Sequence, residues 1–180
     1  MNARFADPQE NLLQLGLHEG MKIADFGAGT GHYAFSAAAA VGEHGKVYAI
    51  DVQPEVVAHL KGVARARHAR NLEALWGDVE KLGGSGLRDH SVDAVIISNI
   101  LFQTPHTTAL LAEAKRVVKL GGKLLVIDWA GAYGGMGPAS HLVFTEHQAE
   151  QLFIGGGFHK LKSLSAGPHH YGVVFTAPEV

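Results

Sequence analysis

Three glycines crowded into "IADFGAGTGHYA" (residues 23–34) constrain this chain more than any other feature. Gly27, Gly29 and Gly31 fall between an apolar run and a stretch of small residues, at a strand-to-helix turn. Glycine lets a backbone bend tightly there and come close to a ligand. The helix that follows turns its unpaired N–H groups toward the same point. "MKIADF" (21–26) reads as a buried strand and "GHYAFSAAAAVG" (31–42) as the helix. The glycine turn alone serves many nucleotide ligands, so the rest of the chain has to choose.

The strand-then-helix pattern recurs almost from end to end. "GKVYAIDV" (45–52) is a second strand, and Pro54 opens a helix through about Arg67. "NLEALWGDV" (71–79) holds a third strand and "SVDAVIISN" (91–99) a fourth. Thr104-Pro105 caps a helix running to about Lys119, where Gly121-Gly122 stops it, and "KLLVID" (123–128) is a fifth strand. Upstream, Asp7 is an N-cap with Pro8 at the first helical position and Glu10 completing a capping arrangement, ahead of Leu12, Leu13, Leu15 and Leu17. Downstream, Thr145 to Gln148 is a capping box, followed by strands at "FHKLKSL" (158–164) and "YGVVFT" (171–176). The short "SAGPHH" link makes that last pair antiparallel. The expected fold is α/β: a doubly wound, Rossmann-like seven-stranded sheet, mostly parallel with the last strand antiparallel, and helices on both faces. Ligands of such sheets sit beyond the carboxyl ends of the strands, at the switch point.

Length and composition set the boundaries. The 180 residues suit one domain (1–180), with 1–20 as an N-terminal helix or lid and 129–145 as a flexible substrate-side loop. A net charge of -2 provides no basic field for nucleic acid or an anionic membrane surface. No apolar stretch approaches the roughly 20 residues of a membrane span, and "MNARFADPQENLL" has no apolar core for a cleavable signal, so no membrane insertion and a cytoplasmic location are expected. The absence of cysteine removes disulfides, thiolate catalysis and thiolate metal sites. Twelve histidines are many, yet none falls in a ligand spacing, and no metal site is expected. Lys61, Arg65, Arg67 and Arg70 mark a solvated helix face.

Two acids narrow the ligand. Asp51 ends the second strand, where a carboxylate accepts hydrogen bonds from both hydroxyls of a ribose. A dinucleotide site would then need G-x-G-x-x-G/A. Here the third small position is His32, and the spacing is G-x-G-x-G. Asp78, after Gly77 and before Val79, suits an adenine edge: the carboxylate accepts from the exocyclic amine while the Val79 N–H donates to a ring nitrogen.

With these stretches in hand, the chain resembles the class I S-adenosylmethionine-dependent methyltransferases over nearly its whole length. "IADFGAGTG", "VYAIDV", "GDVEKL", "VDAVIISNILFQ" and "AKRVVKLGGKLLVIDW" carry the resemblance, in order. Its flavour is the small-molecule branch that includes ubiquinone/menaquinone-biosynthesis-like and type 11 enzymes. The resemblance implies S-adenosylmethionine as cofactor, S-adenosylhomocysteine as product and a small-molecule acceptor. It implies that Gly27, Ala28, Gly29 and Gly31 line the methionine and ribose portion, with Asp25 orienting the turn or holding the amino group and Phe26 in the same binding set. It further implies Asp51 on the ribose with Val52 beside the adenine, Asp78 and Val79 flanking the adenine, Asn99 at the methionine end, and Phe102 and Gln103 bordering the substrate.

Methyl transfer from a sulfonium is an in-line displacement, so the protein mainly positions reactants and excludes water, which is worth about 7–11 kcal/mol of a barrier. The superfamily it resembles has no universal catalytic residue. Candidates are Asn99, Asp128 and His141, with His106, His169, His170 and Tyr171 as further groups, and the ring faces of Tyr33 and Trp129 as covers for sulfonium or substrate. Three other readings remain. One is a catalytically silent S-adenosylmethionine- or S-adenosylhomocysteine-binding scaffold, and another is an NAD-type oxidoreductase, opposed by His32. The third is a nucleic-acid methyltransferase, opposed by the net charge and by "NILF" where N/D-P-P-Y/F would stand. Oligomeric state stays open, a homodimer among the options.

Overall fold

A computed structural model of the chain describes residues 7–179. The strand β1 (Lys22–Phe26) lies mid-sheet, so both of its faces are covered. Ile23 points into one core and Ala24 into the other, the result of period-two alternation in a strand apolar on both sides. The remaining strands are β2 (Lys46–Asp51), β3 (Leu72–Trp76), β4 (Val92–Ser98), β5 (Val118–Trp129), β6 (His159–Ser165) and β7 (His170–Thr176). They form one sheet in the order β3-β2-β1-β4-β5-β7-β6. β1 to β5 are parallel, and β7 runs antiparallel to both β5 and β6, as the short "SAGPHH" link requires.

The helices divide between the faces. α1 (Pro8–Leu15), α2 (His32–Val41) and α3 (Pro54–Ala66) pack Leu12, Ala37 and Leu60 into one core with Ile96 and Ile127. α4 (Thr107–Val117) and α5 (Glu146–Gly155) pack Leu110, Ala114 and Phe153 into the other with Phe26, Val95 and Val126. Consecutive residues of β4 and β5 serve opposite cores, which is why these strands read as unbroken apolar runs rather than alternating ones.

Several boundaries differ from the sequence expectation. Thr104 does not cap α4. Its hydroxyl donates to the Ile100 carbonyl over a short 3-10 turn (Leu101–Gln103), and α4 starts at Thr107. Gly121-Gly122 do not end the helix either. Val118 is already extended and pairs with Val92, so α4 stops at Val117 and the glycines lie in an irregularity within β5. β3 ends at Trp76, which leaves Gly77 and Asp78 outside the sheet, at the mouth of the site. The Thr145–Gln148 capping box is present. Asp7 caps α1 through the Gln9 N–H, while residues 1–6 of the expected N-terminal lid lie outside the described residues.

Candidate active site

The strand order reverses between β1 and β4. The crevice there opens into a cavity of about 750 Å³ beyond the carboxyl ends of β1, β2 and β4, ample for a nucleoside ligand with a small second molecule. The glycine turn forms its floor. The Gly27 and Ala28 N–H groups donate to the Ile50 carbonyl (2.9 and 3.0 Å), tying the turn to β2. Gly27 holds φ +70°, and a Cβ there would lie 2.6 Å from Ile100 Cγ2. Only glycine allows this close approach of the turn to the segment after β4.

Gly31 has a different task. It is at φ +84°, and a Cβ would meet Leu60 of α3 at 2.6 Å and Phe35 at 2.8 Å. The cavity wall does not include it. It is the close-packing glycine of the turn, facing Leu60 and Phe35 at the start of α2. His32, which breaks the dinucleotide spacing, stands exposed at the cavity rim.

Asp51 is buried and held at both oxygens: Oδ2 accepts the Gly29 N–H and Oδ1 the Gln53 N–H, each at 3.0 Å. A carboxylate oxygen has more than one acceptor site, so both remain able to receive a ribose hydroxyl. Deeper in, Asp25 is 2% exposed, and its Oδ2 has no partner among the described residues. Burial pushes its carboxyl up to about 7; the Ala34 amide works against this and the Asp51 charge adds to it. Asn99 adopts φ +56°, a left-handed conformation that asparagine tolerates better than most residues, and its buried Oδ1 also lacks a partner. Two orphaned acceptors on one cavity wall call for a ligand that donates.

At the other end Asp78 pairs with Lys81 at 2.9 Å and accepts the Glu80 N–H. The Lys81 hydrogen bond, opposed by partial burial, holds its carboxyl below the ordinary range. Val79 is buried on the wall and Val52 half-exposed beside it. The acid's loop is fixed by Glu113 of α4, fully buried, which accepts from the N–H groups of Gly83 and Ser85, the Ser85 hydroxyl and the Arg116 guanidinium.

The remaining sequence candidates separate. Phe26 lies in the core and its side chain is not on the cavity wall. Asp128 is fully buried off the wall, where Oδ2 accepts the Leu101 N–H at 2.9 Å and Oδ1 the Trp129 N–H at 2.8 Å. Burial raises it to about 6 against those amides. His141 is exposed in a short turn (Ser140–Leu142) away from the cavity, and His106 is exposed at the start of α4. Gln103 borders the cavity while Phe102 does not. Tyr33, Trp129 and His170 do line it. The Tyr33 hydroxyl accepts from Asn11 Nδ2 of α1 at 2.9 Å, and burial lifts it to about 12. Sequence reasoning missed Ser98, Ile100 and Pro8. Ser98 and Ile100 flank Asn99 and were within reach of the strand-end argument, whereas Pro8 reaches the cavity only through the docking of α1.

This sheet order, with a glycine turn and strand-end acids at its switch point, is the class I methyltransferase fold. The chain belongs to the methyltransferase domain family, which it matches over residues 17–166. It is similar to a solved S-adenosylmethionine-dependent methyltransferase from Aquifex aeolicus, with 31% identity, a TM-score of 0.88, and coverage of 96% of this chain and 90% of that one. Among curated relatives it is 31% identical over 120 residues to demethylmenaquinone methyltransferase of Bacillus mycoides, covering 67% of this chain and 49% of the relative. It is 33% identical over 112 residues to human arsenite methyltransferase, covering 59% and 30%. The chain thus spans about half, or less, of the curated relatives it matches.

Proposed function

We propose that this chain transfers a methyl group from S-adenosylmethionine to a small organic acceptor. The single observation that carries the reading is the pair of orphaned acceptors, Asp25 Oδ2 and Asn99 Oδ1, in the same cavity as Asp51 and the glycine turn. An ammonium group beside them and a ribose on Asp51 match S-adenosylmethionine better than they match a dinucleotide. The cofactor supplies a methyl group on a positively charged sulfur with a good leaving group. The chain's residues do the rest. Asp25 gives up its proton to hold the ammonium, Asp51 fixes the ribose, Asp78 and Val79 flank the base, and Trp129 and Tyr33 wall off water.

On the acceptor side, the curated relatives point to two chemistries, a quinone precursor and arsenite. Trivalent arsenic is a soft centre that favours thiolates, and this chain has no cysteine. The cavity wall instead offers the rings of Trp129 and His170, 4.3 Å apart. A flat organic acceptor fits that wall. Calorimetry with S-adenosylmethionine, S-adenosylhomocysteine and NAD on one preparation tests the reading, followed by transfer of an isotope-labelled methyl group to hydroxylated aromatic acceptors. NAD binding with neither sulfur ligand bound would overturn it.

A further inference from the structure

Resting on the methyltransferase reading, we propose that His170 is the general base that takes the acceptor's proton during transfer. It opens β7 directly opposite Trp129 in the antiparallel ladder with β5, and its ring packs on that indole. Gly137 covers the indole closely: a Cβ there would fall 2.6 Å from Trp129 Cδ2. The imidazole is therefore held by a wall that is itself packed in place. It is 5% exposed, lines the cavity, and neither Nδ1 nor Nε2 has a hydrogen-bond partner among the described residues. A neutral imidazole carries one donor and one acceptor. A buried ring with both unmet is poised for a ligand that presents a hydroxyl.

The other ionisable groups of the cavity are committed elsewhere. Asp51 is engaged by two backbone amides, Asp78 by Lys81, and Asp25 sits on the floor beside Asp51. Glu80 and His32 line the cavity as well, His32 exposed to solvent. Asp128 is off the wall with its oxygens on backbone amides. His169, next in the chain, is stacked on Tyr133 with ring centroids 4.3 Å apart and does not line the cavity.

The protonation state agrees. Burial, and then the neighbouring His169, push the His170 ring below its ordinary value. The groups around it are His169 beside it, Tyr133 from the loop after β5, Asp128 and Tyr171 one ladder step away, and Asp25 and Tyr33 across the cavity. Burial disfavours the charged ring and none of these groups pairs with it, which leaves a ring nitrogen able to accept. In the step, a lone pair on the acceptor oxygen forms the new O–CH3 bond. The S–CH3 bond breaks with its electrons staying on sulfur, leaving a neutral thioether. The hydroxyl proton passes to the free nitrogen of His170, which later releases it to solvent.

The test compares wild type with His170→Asn on two probe acceptors. 1-Naphthol must lose a proton; 4-nitrothiophenol is already a thiolate at neutral pH. The variant is expected to lose about 100-fold or more in kcat on naphthol, with a loss about tenfold or more smaller on the thiolate, and the acid limb of the naphthol pH profile should disappear. Equal losses on both probes, or none, in a variant that still binds S-adenosylhomocysteine would overturn the assignment. A readout independent of turnover is the NMR titration of the labelled His170 ring in the S-adenosylhomocysteine complex, where an imidazolium at pH 7 would overturn it even if neither probe reacts. Failure of wild type to bind S-adenosylmethionine would instead sink the underlying methyltransferase reading, and this assignment with it.

Discussion

Asp25 shows what a single buried carboxyl does to the free protein. Its folded-state value lies near 7 and its ordinary value at 3.8, so the native state holds a proton that the unfolded chain releases. Stability from this group therefore falls as pH rises from about 4 to about 7, and the loss is complete above that. Asp25→Asn should flatten this decline in urea titrations across that window and be more stable than wild type at pH 8, because an amide never carries the buried charge. The same variant should bind S-adenosylmethionine less well. In wild type at pH 7, binding should release protons, read as a dependence of calorimetric enthalpy on buffer. Asp51→Ala is expected to weaken S-adenosylhomocysteine binding by about 1–3 kcal/mol; unchanged affinity in calorimetry would remove Asp51 from the site. Asp51 was legible in the sequence because a strand end after a glycine turn has one standard place in this architecture. The packing of Gly31 against Leu60 was not legible, because Leu60 comes from a helix that the local sequence does not show beside it.

Among the elements, the loop after β3 depends on α4. Glu113, a charged residue of α4, is fully buried and accepts two backbone N–H groups of that loop. Burial alone would raise its carboxyl, but Arg116, Ser85 and the amides of Gly83 and Ser85 hold it at about 2. Its contribution is thus present above its ordinary value of 4.5 and lost as pH falls toward about 2. Glu113→Ala should cost about 1–3 kcal/mol in urea unfolding, because it leaves the buried Gly83 and Ser85 amides without their acceptor while Arg116 keeps Asp89. Glu113→Gln should make the acid limb of the stability profile shallower. The helix boundaries around 104 and 118 were missed for a related reason. Thr104 and Gly121 carry cap-like local signals, but strand pairing of Val118 with Val92 and the 3-10 turn at 101–103 override them.

For the whole molecule, the cavity joins β1, β2, β4 and the start of β7, with Pro8 of α1 at its edge. A ligand there bridges both halves of the sheet and should stabilise the chain as one unit. S-adenosylhomocysteine at a hundred times its Kd should add about 2.7 kcal/mol, raising Tm by about 5–10 °C for a chain of this length. NAD at the same concentration should leave Tm unchanged in a thermal shift measurement. Among the described residues no helix is long and apolar enough to cross a membrane.

By itself the sequence determined the alternation of strands and helices, the antiparallel last pair, the glycine turn and the strand-end acids, because each follows from local periodicity or from spacing along a short stretch. Tertiary structure alone decided which of these groups share a cavity. It put Phe26 and Gly31 to packing, withdrew Asp128 and His141 from the wall, and set His170 opposite Trp129. Those outcomes depend on how strands far apart in the chain register with one another, and on which helix covers which face. The glycine turn could announce a ligand, while His170 on the same cavity wall comes from a strand nearly 140 residues further on.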